Sequence, residues 1–191
     1  ASVDAPPAQW TLHGPMTDSV QWHSATNPSP WFFPNGTVLM AVSRRWAIGG
    51  GRDTKATELM AAPSWRGPYR NLTTGYAEAI PTGEDPDLFK TKRGWHMLNH
   101  NTGPSSTSLS FSEDGFRWHI PGRAAADTFN ATVHWTNGTT SVLCRRQRPQ
   151  VVFAADGMPG WLWTGVMDGP FPGPCQTNPT WTLVQQIGRH F

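Results

Sequence analysis

Charge is scarce in this chain of 191 residues: 15% of them are Asp, Glu, Lys or Arg, and 15 basic against 13 acidic side chains leave a formal net charge of +2. No basic block or arginine stripe alternates with aromatics, so the electrostatic footprint of a nucleic-acid binder is missing. No apolar run approaches the roughly 20 residues of a membrane-spanning helix. The two cysteines, Cys144 and Cys175, are too few for a structural zinc cage, and no metal site is expected. Gly49-Gly50-Gly51 lacks the Lys-Ser/Thr and the helix that follow a phosphate-cradling loop; it reads as an insertion between strands, and no cofactor is expected. Helical patterning is equally wanting.

What the chain does have is 11 tryptophans, 19 glycines and 18 prolines. The glycines and prolines punctuate apolar strands and form no low-complexity tract, so residues 1–191 read as one ordered domain. Three segments repeat a single pattern, a polar residue before proline and then an apolar run ending in phenylalanine. They are Asn27-Pro28-Ser29-Pro30-Trp31-Phe32-Phe33, Asp85-Pro86-Asp87-Leu88-Phe89 and Arg148-Pro149-Gln150-Val151-Val152-Phe153. Each leads to a glycine and a second apolar strand, at Gly36–Val42, Gly94–His100 and Gly160–Val166. The copies stand 85 − 27 = 58 and 148 − 85 = 63 residues apart, a spacing that suits a four-stranded propeller blade with generous loops.

Third strands are expected at Ala56–Ala62, Thr107–Ser112 and Trp181–Ile187. Fourth strands are expected around Gly67–Arg70 and Gly115–Ile120, the latter after a Glu113-Asp114-Gly115 turn. Thr132–Arg146 reads as one more hairpin with Asn137-Gly138 at its turn. The expectation is an all-β propeller of antiparallel blades: residues 1–20 as the end of a preceding blade, with an orphan strand at Gln9–Gly14, then blades over 22–75 and 80–122, and a blade with closing strands over 130–191. Three blades plus fragments fall short of the four that closed propellers need. Either the chain belongs to a longer or processed polypeptide, or its open edges are covered by self-association or by a partner chain.

Four sequons, at Asn35, Asn71, Asn130 and Asn137, fall at turn-like places and point to N-linked glycans on a secreted eukaryotic glycoprotein. The start at Ala1, with neither Met nor an apolar leader, fits a processed secretory chain. In an oxidising compartment Cys144 and Cys175 are expected to pair, the alternative being two unrelated buried thiols.

The three proline motifs, together with Trp95–His100, Phe111–Trp118, Arg145–Gln150 and Trp181–Gln185, make the chain resemble the five-bladed propeller glycoside hydrolases, the superfamily of arabinanases, β-xylosidases and invertases. It resembles most a group of uncharacterised secreted eukaryotic members. That resemblance implies an axial pocket where inner strands begin and where carboxyl groups converge, at least two being needed to protonate a leaving oxygen and to attack or activate water. Carried over residue by residue, Asn27 stands where an aspartate is common, Asp85 is kept as the candidate catalytic carboxylate, and Gln147 stands where a glutamic acid is expected. The implied function is a carbohydrate-binding or extracellular structural subunit, fibre-forming in one version, on a degenerate glycosidase scaffold. The alternative is an active hydrolase of a polysaccharide.

Asn27, Glu84, Asp87, His100, Gln147, Arg148 and Trp31 are the candidate carbohydrate contacts. His100 can equally be a structural histidine, and Asp85 can simply cap a strand. Arg145, Arg146 and Arg148 either bind an anionic sugar through an inward guanidinium or pair with the Glu84-Asp85-Asp87 group. Trp95, Trp118, Trp161 and Trp163 sit at repeat-related positions and are assigned mostly to packing between blades, leaving Trp31 and Trp46 as surface candidates.

Overall fold

The structure, a computed structural model, describes residues 11, 25–48, 52–73, 83–100, 107–120, 128–169, 175 and 179–188, with only the backbone of 45–48 and 52–56. The expected orphan strand at Gln9–Gly14, except Thr11, lies outside these, as do Gly49-Gly50-Gly51 and the side chain of Trp46. Among the described residues there is no α-helix.

Each proline motif opens the first strand of an antiparallel sheet. Strands β1 (Ala25–Phe32), β2 (Val38–Ile48), β3 (Arg52–Ala62) and β4 (Arg70–Asn71) form a four-stranded blade in that order. The second blade is β5 (Glu84–Thr91), β6 (Gly94–His100) and β7 (Thr107–Ser112). Its expected fourth strand shrinks to one bridge, Phe111 to His119. The cause is local: Asp114 Oδ1 accepts from the backbone N–H of Phe116 and of Arg117, so a turn takes the donors that a ladder would need. The expected hairpin is present as β8 (Thr132–His134) and β9 (Thr140–Val142). The third blade is β10 (Arg145–Phe153), β11 (Pro159–Met167) and β12 (Thr180–Gln186).

The repeat extends to the register. In every blade the inner strand slips against its neighbour at the proline, between Thr26 and Ser29, Glu84 and Asp87, and Gln147 and Gln150. Beyond the slip Ser29 pairs with Ala41, Asp87 with Leu98 and Gln150 with Trp163. These pairings make Ser29, Asp87 and Gln150 equivalent, and likewise Trp31, Phe89 and Val152. Side chains opposite one another across a ladder share a face. Each blade therefore has a trailing face, which carries these residues, and a leading face.

Blades stack trailing face on leading face. Leu39, Ala41 and Leu59 of the first meet Leu88, Trp95 and Met97 of the second, with Trp31 edge-on to Trp95 at a centroid distance of 5.6 Å. Phe89 and Leu98 of the second meet Val151, Phe153 and Leu162 of the third, around Phe129. Polar pins repeat as well. Ser29 Oγ accepts from Leu88 N at 2.9 Å, and the equivalent Asp87 Oδ2 accepts from Val151 N at 2.6 Å. The β8–β9 hairpin covers the leading face of the third blade through Val133, Leu143, Val166 and Leu183. Cys144 and Cys175 form the expected disulfide.

Candidate functional site

The three inner strands begin around one hub, a cleft of about 430 Å³ lined by Asn27, Pro28, Asp85, Pro86, Arg148 and Pro149 with the residues that follow them. Its backbone is unusual in the same way three times. Asn27, Asp85 and Arg148 have φ of 54°, 51° and 55°, the left-handed region that costs an L-residue roughly 1–2 kcal/mol. Proline explains part of this, because its ring disfavours the right-handed helical region for the preceding residue. Each of the three residues lines the cleft at its bulge.

There Asn27 Nδ2 donates to Asp85 Oδ1 at 2.6 Å, and Asp85 N donates to Ser43 Oγ at 3.0 Å. Burial raises the pKa of Asp85 and the charge of Glu84 adds to the rise; Arg148, His100 and a bond from the Arg148 N–H oppose it. Register places Arg148, not Gln147, level with Asn27 and Asp85; Gln147 is level with Thr26 and Glu84. Gln147, where the resemblance leads one to expect a glutamic acid, therefore stands one position before the ring of Asn27, Asp85 and Arg148.

His100 is 2% exposed, with Nδ1 3.6 Å from Glu84 and 3.9 Å from Asp85. Donor atoms of Glu84, Asp85 and His100 lie within 4.8 Å of one another, a set able to hold a cation. His96 is four positions from His100, but on a strand that spacing separates the two by roughly 13 Å. Its ring instead stacks on Phe89.

Other candidates move. Asp87 lines the cleft with its carboxylate turned to Val151 N at the blade interface, and burial pushes its pKa up to about 6. Trp31 is half-buried against Trp95 between blades. Trp161 and Trp163 are 39% and 42% exposed, whereas Trp95 and Trp118 are buried.

Arg146 does not reach the hub or the acidic group. It is buried on the leading face of the third blade, where it donates to Thr164 Oγ1, the Asn130 carbonyl and Gln185 Oε1 and lies 4.4 Å from the Phe129 ring centroid. Burial lowers its pKa to about 10.

The four sequons share a geometry. Asn35, Asn71, Asn130 and Asn137 each accept, through Oδ1, the backbone N–H two residues on. Asp156, in the corresponding β10–β11 turn, makes the same bond to Met158 N without forming a sequon. Turn chemistry alone therefore accounts for these asparagines. Asn71 also donates Nδ2 to the buried Glu58, at 3.0 Å, so the amide that would carry a glycan is already engaged.

No family model matches the chain, and no curated protein matches it. Among solved structures it is similar to Zg3597, a family 117 glycoside hydrolase of the marine bacterium Zobellia galactanivorans, with a TM-score of 0.54 and 13% identity over 84% of this chain and 40% of that one. A xylan β-1,4-xylosidase of Bacillus halodurans matches at a TM-score of 0.41 and 11% identity, over 85% of this chain and 42% of that one. The chain thus spans less than half the length of either. The likeness to Zg3597 concerns architecture alone: the three antiparallel blades share the propeller fold of that protein.

Proposed function

We propose that the chain is a secreted carbohydrate-binding subunit on a glycosidase-like scaffold, without hydrolytic activity of its own. The observation that carries this reading is the hub itself. Among the described residues, Asp85 faces an amide at Asn27 and a guanidinium-bearing residue at Arg148, and no second carboxyl lies across the cleft from it. Hydrolysis needs two carboxyls flanking the scissile bond, about 5–5.5 Å apart for retention or 6.5–9.5 Å for inversion. Glu84 neighbours Asp85 on the same strand, and the Asp87 carboxylate is taken by Val151 N, so neither flanks a bond from the far side.

Amide, carboxylate and guanidinium groups around a cleft do suit sugar hydroxyls, which both donate and accept. The disulfide fits an oxidising compartment and supports secretion. Hydrolysis is the second reading, favoured by the raised pKa of Asp85, a property of a general acid.

The test is a panel of polysaccharides and aryl glycosides presented to the chain and to Asp85→Asn and Arg148→Ala. Binding without turnover is expected, weakened about tenfold in Arg148→Ala by loss of a charge-assisted hydrogen bond. Turnover that disappears in Asp85→Asn refutes the binding-only reading. Absence of any sugar affinity refutes both.

A further inference from the structure

Gly165, Trp163 and Trp161 lead outward from the hub along one face of β11, the trailing face of the third blade. Arg148 and Gln150, both of which line the hub cleft, bridge onto that face. A Cβ placed on Gly165 would lie 3.9 Å from both Cβ and Cδ of Arg148, so the arginine stem runs over the glycine, and Gln150 pairs with Trp163 across the ladder. Trp163 and Trp161, both well exposed, follow at a spacing of about 7 Å, two residues of strand rise.

The two rings stand among polar groups that the blade interfaces lack. Register puts Gln186 beside Trp161, at the place held by Ala61 in the first blade and by Phe111 in the second. Gln150, Thr182 and Gln186 are exposed, and none of the positions that register assigns to this face carries a charge. An apolar protein surface closing over the two amides would strip their water without replacing it. A saccharide chain instead offers C–H faces to the indoles, and hydroxyls that both donate and accept to the amides.

We propose that this face is a platform for a neutral, β-1,4-linked polysaccharide, which leaves the hub past Arg148 and Gln150 and lies across Trp163 and Trp161. Two rings in line on a flat sheet suit a flat ribbon, since a coiled chain would touch one ring alone. The inference rests on the hub's carbohydrate binding and adds to it the class of ligand, an extended chain of several units.

Calorimetric titration of the 191-residue chain with β-1,4-linked cello-, xylo- and manno-oligosaccharides, each as the disaccharide and the hexasaccharide, tests the platform. The hexasaccharide of the preferred sugar should bind about tenfold tighter than its disaccharide, which occupies the hub alone. In a Trp161→Ala/Trp163→Ala variant that length gain should vanish while the disaccharide affinity stays. Hydroxyl-radical footprinting of the unsubstituted chain gives a second readout. Trp161 and Trp163 should oxidise several-fold more slowly with the hexasaccharide than with the disaccharide, with buried Trp118 as the reference.

Three results overturn the platform and leave the hub reading standing: a hexasaccharide bound no tighter than the disaccharide, a length gain that survives in the double variant, or unchanged oxidation of both tryptophans at saturating hexasaccharide. Protection of the two rings that grows with protein concentration in the absence of sugar also overturns it, since a protein surface is then the occupant. Binding at neither length overturns it as well, and the hub reading is then decided by the wider panel with Arg148→Ala.

Discussion

Asp87 gives the interface between the second and third blades a pH dependence of definite sign. Its carboxyl ordinarily titrates near 3.8, and burial raises it to about 6 against the opposing bond from Val151 N. Between those values the folded chain holds a proton that the unfolded chain has released, so stability falls as pH rises. The full effect is about 3 kcal/mol at roughly 1.4 kcal/mol per pKa step; linkage yields about 1.4 kcal/mol of it between pH 8 and pH 5, and roughly 2.4 kcal/mol by pH 4. Asp87→Asn keeps an acceptor for Val151 N but cannot ionise. Urea unfolding at pH 5, 6, 7 and 8 should show the variant more stable than the parent at pH 8, with the gap closing toward pH 5. Asp85 titrates in the same direction and His96, its pKa lowered by burial, in the opposite one; the difference between parent and variant cancels both. A constant difference across that range, or a variant less stable at pH 8, refutes the assignment.

Arg146→Ala should destabilise the fold by about 3 kcal/mol in urea, because it opens a cavity beside Phe129 and strands the Asn130 carbonyl and the Gln185 amide; a loss below about 1 kcal/mol would show that the hairpin is not anchored there. Gly94→Ala should cost more than about 2 kcal/mol, since an added Cβ meets the Ser112 carbonyl at 2.6 Å and φ is 139°. Gly36→Ala, whose Cβ meets nothing within 4 Å, should lose only the roughly 1–2 kcal/mol of its left-handed backbone. Equal thermal shifts for the two alanines would deny the close approach at Gly94.

The inner strands and their hub were legible in the sequence because proline and glycine mark fixed backbone events, and three copies vouch for one another. Alternation puts Trp161 and Trp163 on one face. It could not tell whether that face has a neighbour, since burial is a property of two surfaces and only one is written in the strand. Arg146 escaped for a related reason: its three acceptors come from Asn130, Thr164 and Gln185, far apart in the chain, and only the folded hairpin brings them together. The Glu84–His100 approach was hidden likewise, because the two are the first and last residues of a hairpin and meet only through its register. That Gln147 stands level with Glu84 and outside the cleft lining, while Arg148 stands level with Asp85, was hidden because a bulge shifts the count by a residue.

The left-handed residues at the hub separate shape from chemistry. An amide, a carboxylate and a guanidinium occupy Asn27, Asp85 and Arg148 with φ within a few degrees of one another, so the scaffold dictates where a functional group is displayed and not which one. Such sockets allow exchange of cargo without redrawing the main chain. Asn27→Asp, 2.6 Å from a carboxylate that already resists ionising, would turn an amide–carboxylate hydrogen bond into a proton-sharing dyad by a single replacement.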